Sequence, residues 1–113
     1  MPNDLSSQDQ LPLPGLGGRV CPVRAKWRRL VEIELPAEAK NRDWPVTEDH
    51  CFARILLDNA AGQPWRNAVK PPAWRNAPEE LLTRAIDLGA ACINGTESLQ
   101  VLNENSLKLR GKA

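Results

Sequence analysis

One four-residue sequence occurs twice in the chain, and both copies carry side chains suited to binding. Trp-Arg-Asn-Ala stands at residues 65–68 and again at residues 74–77. An indole offers a large flat surface with one donor, and a guanidinium is a rigid fork for carboxylate or phosphate. Because both types are frequent at the energetic centres of interfaces, the repeat predicts a contact surface. Its candidate binding residues are Trp65, Arg66, Lys70, Trp74 and Arg75.

A basic run lies upstream of the repeat. Residues 19–29 hold five cations, including Arg28 and Arg29, and no acid, whereas the whole chain has a net charge of only +1. Together with the repeat, this run allows a nucleic-acid interpretation, in which indoles stack on bases and cations hold phosphates. The simpler interpretation is that Trp65 and Trp74 fill a gap between helices while the arginines stay in water.

An acid, the only histidine and a thiol are adjacent at Asp49, His50 and Cys51. Such a trio suggests group transfer, with His50 as the base and Cys51 as the nucleophile. Neighbours on a helix point about 100° apart, so these two side chains do not face each other. The sequence therefore keeps His50 and Cys51 as secondary catalytic candidates and favours a packing role for the thiol.

Metal and cofactor signatures are absent from the sequence. No Cys-x-x-Cys or His-x-x-x-His pair is present to anchor zinc. The glycines at residues 15–18 follow prolines instead of a strand, so they lack the setting in which glycines cradle phosphate. The Arg/Gln-x-x-Gly-x-Gly turn with which common acetyltransferases hold acetyl-CoA is missing as well. We predict no metal site and no cofactor.

Length and cysteine content bound the class of protein. A chain of 113 residues fits one small domain, which we expect at residues 19–113 after a disordered tail at residues 1–18. Three widely spaced cysteines make a poor disulfide framework and favour a reducing compartment, so we expect a cytoplasmic protein. No run approaches the roughly 20 apolar residues of a membrane span, so we expect no membrane contact.

A first helix is predicted at about residues 48–61. Thr47 is placed to cap its first turn, and Gly62 can adopt the left-handed conformation that ends a helix. Apolar residues at helical spacing form one face. Arg54 and Asp58 are four residues apart on the other face, where we expect them to pair in solvent.

A second helix is predicted at about residues 77–94. Asn76 and Glu79 have capping-box spacing, and Gly95 supplies a left-handed end. The connection between the two helices covers some 15 residues and contains the repeat. Because a connection of this length is unusual in a compact domain, we expect it to be functional.

A strand and a hairpin complete the predicted fold. Apolar residues alternate with Glu32 and Glu34, which predicts a short strand at Leu30–Leu35 with one buried face. Residues 99–101 and 107–109 predict a C-terminal hairpin, with a third short helix as the alternative. The predicted fold class is therefore α+β, and the edge of the strand is a candidate surface for homodimerisation.

Residues 46–93 resemble a group of small uncharacterised bacterial proteins. The likeness rests on the sequence EDHCFARILLDNA at residues 48–60 and on Pro72-Ala73-Trp74 in the connection. Some members of that group have been labelled acetyltransferases. The resemblance implies a helix-loop-helix unit, and the label implies group transfer.

These patterns predict a small binding or accessory module that contacts a protein partner, or a second copy of itself, through the Trp/Arg connection. Nucleic-acid binding through the basic run and the same connection is one alternative. Group transfer by a small enzyme or enzyme subunit is the other. The dependence of affinity on salt distinguishes protein binding from nucleic-acid binding, because phosphate contacts weaken steeply with ionic strength.

Overall fold

Helices form all of the regular structure in residues 21–112, the part of the chain that the computed structural model describes. Within that part 71% of the residues are helical and none lies in a strand. The predicted tail, residues 1–18, lies outside the described residues. The elements in chain order are α1 (Pro22–Arg29), a π-helical segment (Leu30–Glu34), α2 (Leu35–Ala39), α3 (Asp49–Ala61), a 3-10 turn (Trp65–Asn67), α4 (Ala73–Asn76), α5 (Glu79–Asn94) and α6 (Leu99–Leu109).

The predicted α+β class is wrong, and the first reason is that Leu30–Leu35 is helical. Its buried apolar side chains are Leu30, Val31 and Leu35. Val31 and Leu35 lie one helical turn apart, so they share a face. Ile33, the third member of the apparent alternation, faces outward and is 55% exposed. The strand edge proposed for homodimerisation therefore does not exist.

The π-helical segment keeps one side of this long helical region on the core. Buried side chains recur every four residues from Trp27 to Ala39. In an ideal helix of 3.6 residues per turn, each such side chain would point about 40° further around the axis than the one before it. A wide turn, in which the N–H of Leu35 donates to the carbonyl of Leu30, corrects that drift. Pro36 favours the same turn, because it lacks an N–H and its ring crowds the carbonyl of Glu32.

The predicted C-terminal hairpin is also wrong, and the alternative of a third helix is correct. α6 runs through both proposed strands and the proposed hinge. Its buried residues Leu99, Leu102 and Ser106 have helical spacing. The Ser98 hydroxyl accepts a hydrogen bond from the N–H of Val101 at 3.2 Å, which caps the first turn.

The two predicted central helices are present as α3 and α5, and both end as expected. Gly62 and Gly95 follow them with φ angles of 71° and 88°, in the left-handed region that glycine adopts without strain. The predicted caps are wrong. No side chain caps either helix start, and Asn76 ends α4 and donates to the carbonyl of Lys70 at 2.9 Å.

Close packing of the helices forms one core. α3 buries Phe52, Ile55 and Leu56 completely, and the π-helical segment lies against α5 at Gly89. A Cβ atom at Gly89 would stand 2.6 Å from Cδ2 of Leu30, so glycine is what permits this approach. None of the helices in residues 21–112 has the length and apolar content needed to cross a membrane.

Candidate functional site

Four predicted contact residues, Arg28, Trp65, Arg66 and Trp74, line one concave surface. A cleft of about 330 Å³ lies between α1 with the π-helical segment, the first turns of α3, and the connection that carries the repeat. We call it the indole cleft and define it by Trp27, Arg28, Ala53, Leu57, Trp65 and Trp74, which lie on its walls. The fold thus brings together tryptophans from both copies of the repeat and one arginine of the basic run.

The tryptophans of the cleft differ in burial. Trp27 is 2% exposed and belongs to the core. Trp65 and Trp74 are half-buried, so each packs one side against the core and keeps accessible surface in the cleft. Part of each ring packs against the core, as the packing interpretation expects, and the contact interpretation stays a prediction.

A buried carboxylate fixes the position of Trp65. Asp58 is fully buried, and its Oδ1 accepts a hydrogen bond from the backbone N–H of Trp65 at 2.8 Å. Its Oδ2 accepts from the Ser106 hydroxyl at 2.6 Å and from Nε of Arg110 at 2.7 Å. These donors compensate the cost of burying a charge. Asp58 therefore ties the connection to both α3 and α6.

This role of Asp58 corrects the predicted solvent pair with Arg54. Arg54 instead donates from Nη2 to Oδ1 of Asn103 at 2.7 Å, which adds a second tie between α3 and α6. Asn59 adds a third, since its Nδ2 donates to the carbonyl of Leu102 at 2.9 Å. The available signal for the burial of Asp58 was its place three residues after Ile55, on the apolar face of the helix.

Arginines from α1 hold Trp74. Nη1 of Arg24 donates to the Trp74 carbonyl at 3.0 Å, and Cζ of Arg28 lies 4.7 Å from the centre of the Trp74 ring. Arg75 also lies over this ring, at 5.2 Å, and Arg66 lies over the Trp65 ring at the same distance. Such cation–π contacts restrict the side chains and orient the indoles. Sequence reasoning missed the contacts from α1 because they join residues about 50 positions apart.

Carboxylates next to the basic run compensate two of its charges. Nε of Arg28 lies 3.0 Å from Oε2 of Glu32, and Nε of Arg29 lies 3.1 Å from Oε2 of Glu34. Both pairs are exposed, so each contributes little to stability. They weaken the nucleic-acid interpretation more, because two of the cations proposed to hold phosphate already face an acid.

A second concave surface adjoins the cleft. This α1 groove, of about 550 Å³, is lined by Cys21, Arg24, Ala25, Arg29 and Ile33. Arg28, Glu32 and Trp74 line both surfaces, so the stacked pair of Arg28 and Trp74 forms the boundary between them. One extended ligand that crosses this boundary would contact both.

The remaining candidates are distributed around the site. Lys70 and Arg75 are exposed on the connection, and Arg29 lies on the α1 groove. His50 lies on the indole cleft, where its Nδ1 is 3.6 Å from Oδ1 of Asp49. Cys51 is half-buried and is not one of the cleft residues, so the structure does not join it to His50 in a common site.

The thiols are free and dispersed. Sγ of Cys21 donates to Oε2 of Glu79 at 3.3 Å, whereas Cys92 is buried in the core. Burial, and to a lesser extent the nearby carboxylate of Glu97, raises the pKa of the Cys92 thiol to about 11, while Arg42 opposes the rise. Within residues 21–112, no group of three metal-ligating side chains converges.

Comparison with protein-family models, with curated proteins and with solved structures gives no match for this chain. The resemblance to the small bacterial group therefore stays a prediction. The class that the fold and the site of residues 21–112 define is a small helical domain with an aromatic cleft and an adjoining groove.

Proposed function

We propose that this protein is a small binding module that holds a segment of a protein partner in the indole cleft. The observation that carries the proposal is the pair of half-buried tryptophans, Trp65 and Trp74, on the walls of one cleft. Partly exposed indoles with a fixed orientation are frequent anchors of protein interfaces, because they lose little entropy when they bind.

The composition of the cleft supports a peptide ligand. Its apolar walls include Val31, Ala53, Leu57 and the Pro71-Pro72 pair. The charged groups beside them are Arg28, Glu32, Asp49 and Arg66. Ligand sites generally combine apolar walls with a few polar groups that set orientation, within volumes of about 300–1,000 Å³. An apolar side chain of the partner would enter the cleft, and an acidic neighbour would meet Arg66, because Arg28 is already paired with Glu32.

Nucleic-acid binding and group transfer receive less support. The pairing of Arg28 with Glu32, and of Arg29 with Glu34, reduces the positive charge available for phosphates. The separation of Cys51 from the cleft removes the nucleophile that His50 would activate.

Selection from a random displayed-peptide library on the full chain tests the proposal. We expect the selected peptides to share apolar anchors, and their affinity to fall about ten-fold or more in Trp65→Ala and Trp74→Ala. Trp44→Phe is the matched control, because Trp44 packs edge-to-face on Phe52 outside the cleft. Equal affinity for all four proteins would contradict the proposal. A short oligonucleotide that bound at low salt and was released at high salt would support the nucleic-acid alternative instead.

Self-association through the same region is the second candidate. Ile33 is 55% exposed on the α1 groove beside Trp74, where an apolar side chain of another copy could cover it. Sedimentation of the wild-type chain should then show a dimer that Ile33→Asp dissociates. A wild-type monomer at all concentrations would exclude this candidate.

We place the module in the cytoplasm as part of the proposal. All three thiols are free, and none is paired in a disulfide within the described residues, which supports a reducing compartment. Fractionation of cells that express the tagged chain checks this location.

A further inference from the structure

We propose that the indole cleft selects extended peptides in which an acidic and a basic residue, about four positions apart, flank an apolar anchor. The inference rests on the proposed function, since it names the class of ligand for that same site. Its support is the arrangement of charge along α3. Asp49, Ala53 and Leu57 recur every four residues on the wall of the cleft, so this face of the helix forms one edge of it.

The first end of that edge is acidic. Asp49 lines the cleft in the first turn of α3, and Glu48 precedes it. Nδ1 of His50 lies 3.6 Å from Oδ1 of Asp49 and 3.8 Å from Oε1 of Glu48, and neither carboxylate pairs with a lysine or arginine within residues 21–112. The side chain of Asp49 is 58% exposed, so it can meet a cation of the ligand.

The other end of the edge is cationic. Asp58, in the last turn of α3, accepts the backbone N–H of Trp65 at 2.8 Å, which places Trp65 and the following Arg66 at this end. Arg66 is exposed, and its Cζ lies 5.2 Å from the centre of the Trp65 ring. It makes no ion pair with any carboxylate of residues 21–112, so its guanidinium can meet an acid of the ligand.

These two ends hold the charges that the walls of the cleft leave uncompensated within the described residues. Arg28 and Glu32, the other charged residues of the walls, pair with each other at 3.0 Å. No ion pair joins Asp49 to Arg66, and His50 is counted as neutral. A ligand that supplies one charge of each sign complements both ends, and such complementarity sets specificity more than affinity.

The distance between the ends sets the spacing of the ligand's charges. Leu57 lies eight residues after Asp49, so the helix advances about 12 Å between them. An extended peptide advances about 3.3 Å per residue and covers this distance in about four residues. An apolar residue between the two charges then faces the cleft and its half-buried indoles, Trp65 and Trp74.

Three displayed-peptide libraries selected on the full chain test the inference. Each fixes two residues four positions apart in an otherwise random sequence: Glu with Lys in both orders, Glu twice, or Lys twice. At about pH 8, where imidazole is largely neutral, the mixed library should be enriched at least about three-fold over each like-charge library. Equal enrichment would overturn the inference. A mixed preference found only at a spacing of eight, which suits a helical ligand, would also overturn it.

Charge reversal at the two ends should change the preference in opposite directions. Asp49→Lys should favour the library with two Glu residues by at least about three-fold over the mixed library. Arg66→Glu should favour the library with two Lys residues by a similar factor. If both variants kept the preference of the wild type, these residues would not read the charges of the ligand.

Two matched controls carry the same changes of charge outside the walls of the cleft. Asp87→Lys lies on the exposed face of α5, and Arg75→Glu lies in the other copy of the repeat, where Arg75 is also 5.2 Å from an indole. Both should keep the preference for the mixed library. Shifts as large as those of the cleft variants would mean that net charge, not the two ends of the cleft, selects the peptides.

The failure of the inference and that of the proposed function are distinguishable. If enriched peptides lose affinity in Trp65→Ala and Trp74→Ala but show no charge preference, only the inference fails. If Asp49→Lys shifts the charge preference while both tryptophan variants bind as tightly as the wild type, only the proposed function fails. If no library is enriched, both fail.

Discussion

The carboxylate of Asp58 accepts the backbone N–H of Trp65 at 2.8 Å, across the turn that joins α3 to the connection. The same carboxylate accepts from Ser106 and Arg110, so a single buried charge positions one wall of the indole cleft. Asp58→Ala would leave these donors without their acceptor. We expect a loss of about 3–5 kcal/mol in the free energy of unfolding, measured by urea denaturation.

Asp87→Ala is the matched control for that change. Asp87 is exposed on α5, so its removal should alter stability by no more than about 0.5 kcal/mol. Replacing Arg110 by Met together with Asp58→Ala should recover part of the loss, because the unpaired guanidinium is then absent. Equal stability of Asp58→Ala and Asp87→Ala would show that the buried carboxylate is not a structural anchor.

Trp27 and Trp74 should differ in how much each contributes to the free energy of unfolding. Trp27 is 2% exposed, so Trp27→Ala should destabilise the fold by about 3–5 kcal/mol. Trp74 is half-buried, and Trp74→Ala should cost about 1–2 kcal/mol, in proportion to the smaller apolar area removed from water. Thermal and urea unfolding of both variants check this order. A reversed order would mean that Trp74, not Trp27, belongs to the core.

A methyl group at position 89 should be unfavourable. The added Cβ of Gly89→Ala would stand 2.6 Å from Cδ2 of Leu30 and 3.1 Å from Cδ1 of Leu56. Overpacking costs about 1–3 kcal/mol, and the better helix propensity of alanine returns about 1 kcal/mol, so we expect a net loss near 1 kcal/mol. Leu30→Val removes the nearest methyl group. In a double-mutant cycle it should reduce the cost of Gly89→Ala, and strict additivity would contradict the contact.

Stability should fall at high pH through Cys92. Burial raises the pKa of its thiol from an ordinary 9.0 to about 11, so the folded chain holds this proton more tightly than the unfolded chain. The resulting contribution to stability is complete below pH 9 and is lost as the pH rises through 11. Urea unfolding across this range should show a steeper decline for the wild type than for Cys92→Ala, and parallel curves would contradict the assignment.

Alkylation checks the same thiol independently. Iodoacetamide reacts with thiolates, so the half-buried Cys21 and Cys51 should be modified before the buried Cys92 in the native protein at neutral pH. Peptide mass mapping gives the order. Early modification of Cys92 would mean that the core around it opens readily.

The central helices were predictable because their signals are local. Gly62 and Gly95 mark both ends, and the apolar spacing marks the faces. The strand prediction failed because two apolar residues four apart, Val31 and Leu35, fit a period of 2 as well as a helical turn. Only the wider window, from Trp27 to Ala39, separates the two periods.

The site was predictable in its residue types and not in its geometry. The repeat identified Trp65 and Trp74, but their convergence with Arg28 depends on how α1 packs beside the connection. The role of Asp58 was missed for a physical reason. A carboxylate stays in solvent because of its hydration energy unless several donors surround it. Here two of those donors come from α6 and from its C-terminal cap, about 50 residues away.

The two contacts between Trp74 and α1 make the fluorescence of this residue sensitive to the docking of that helix. Because Arg28 lies on its ring and Arg24 binds its backbone carbonyl, separation of the first helix would withdraw one cation from the indole and a second from the adjoining peptide. The emission of that indole is therefore an intrinsic optical reporter of helix docking. The difference in stopped-flow fluorescence between the wild type and Trp74→Phe would time that event without an attached dye.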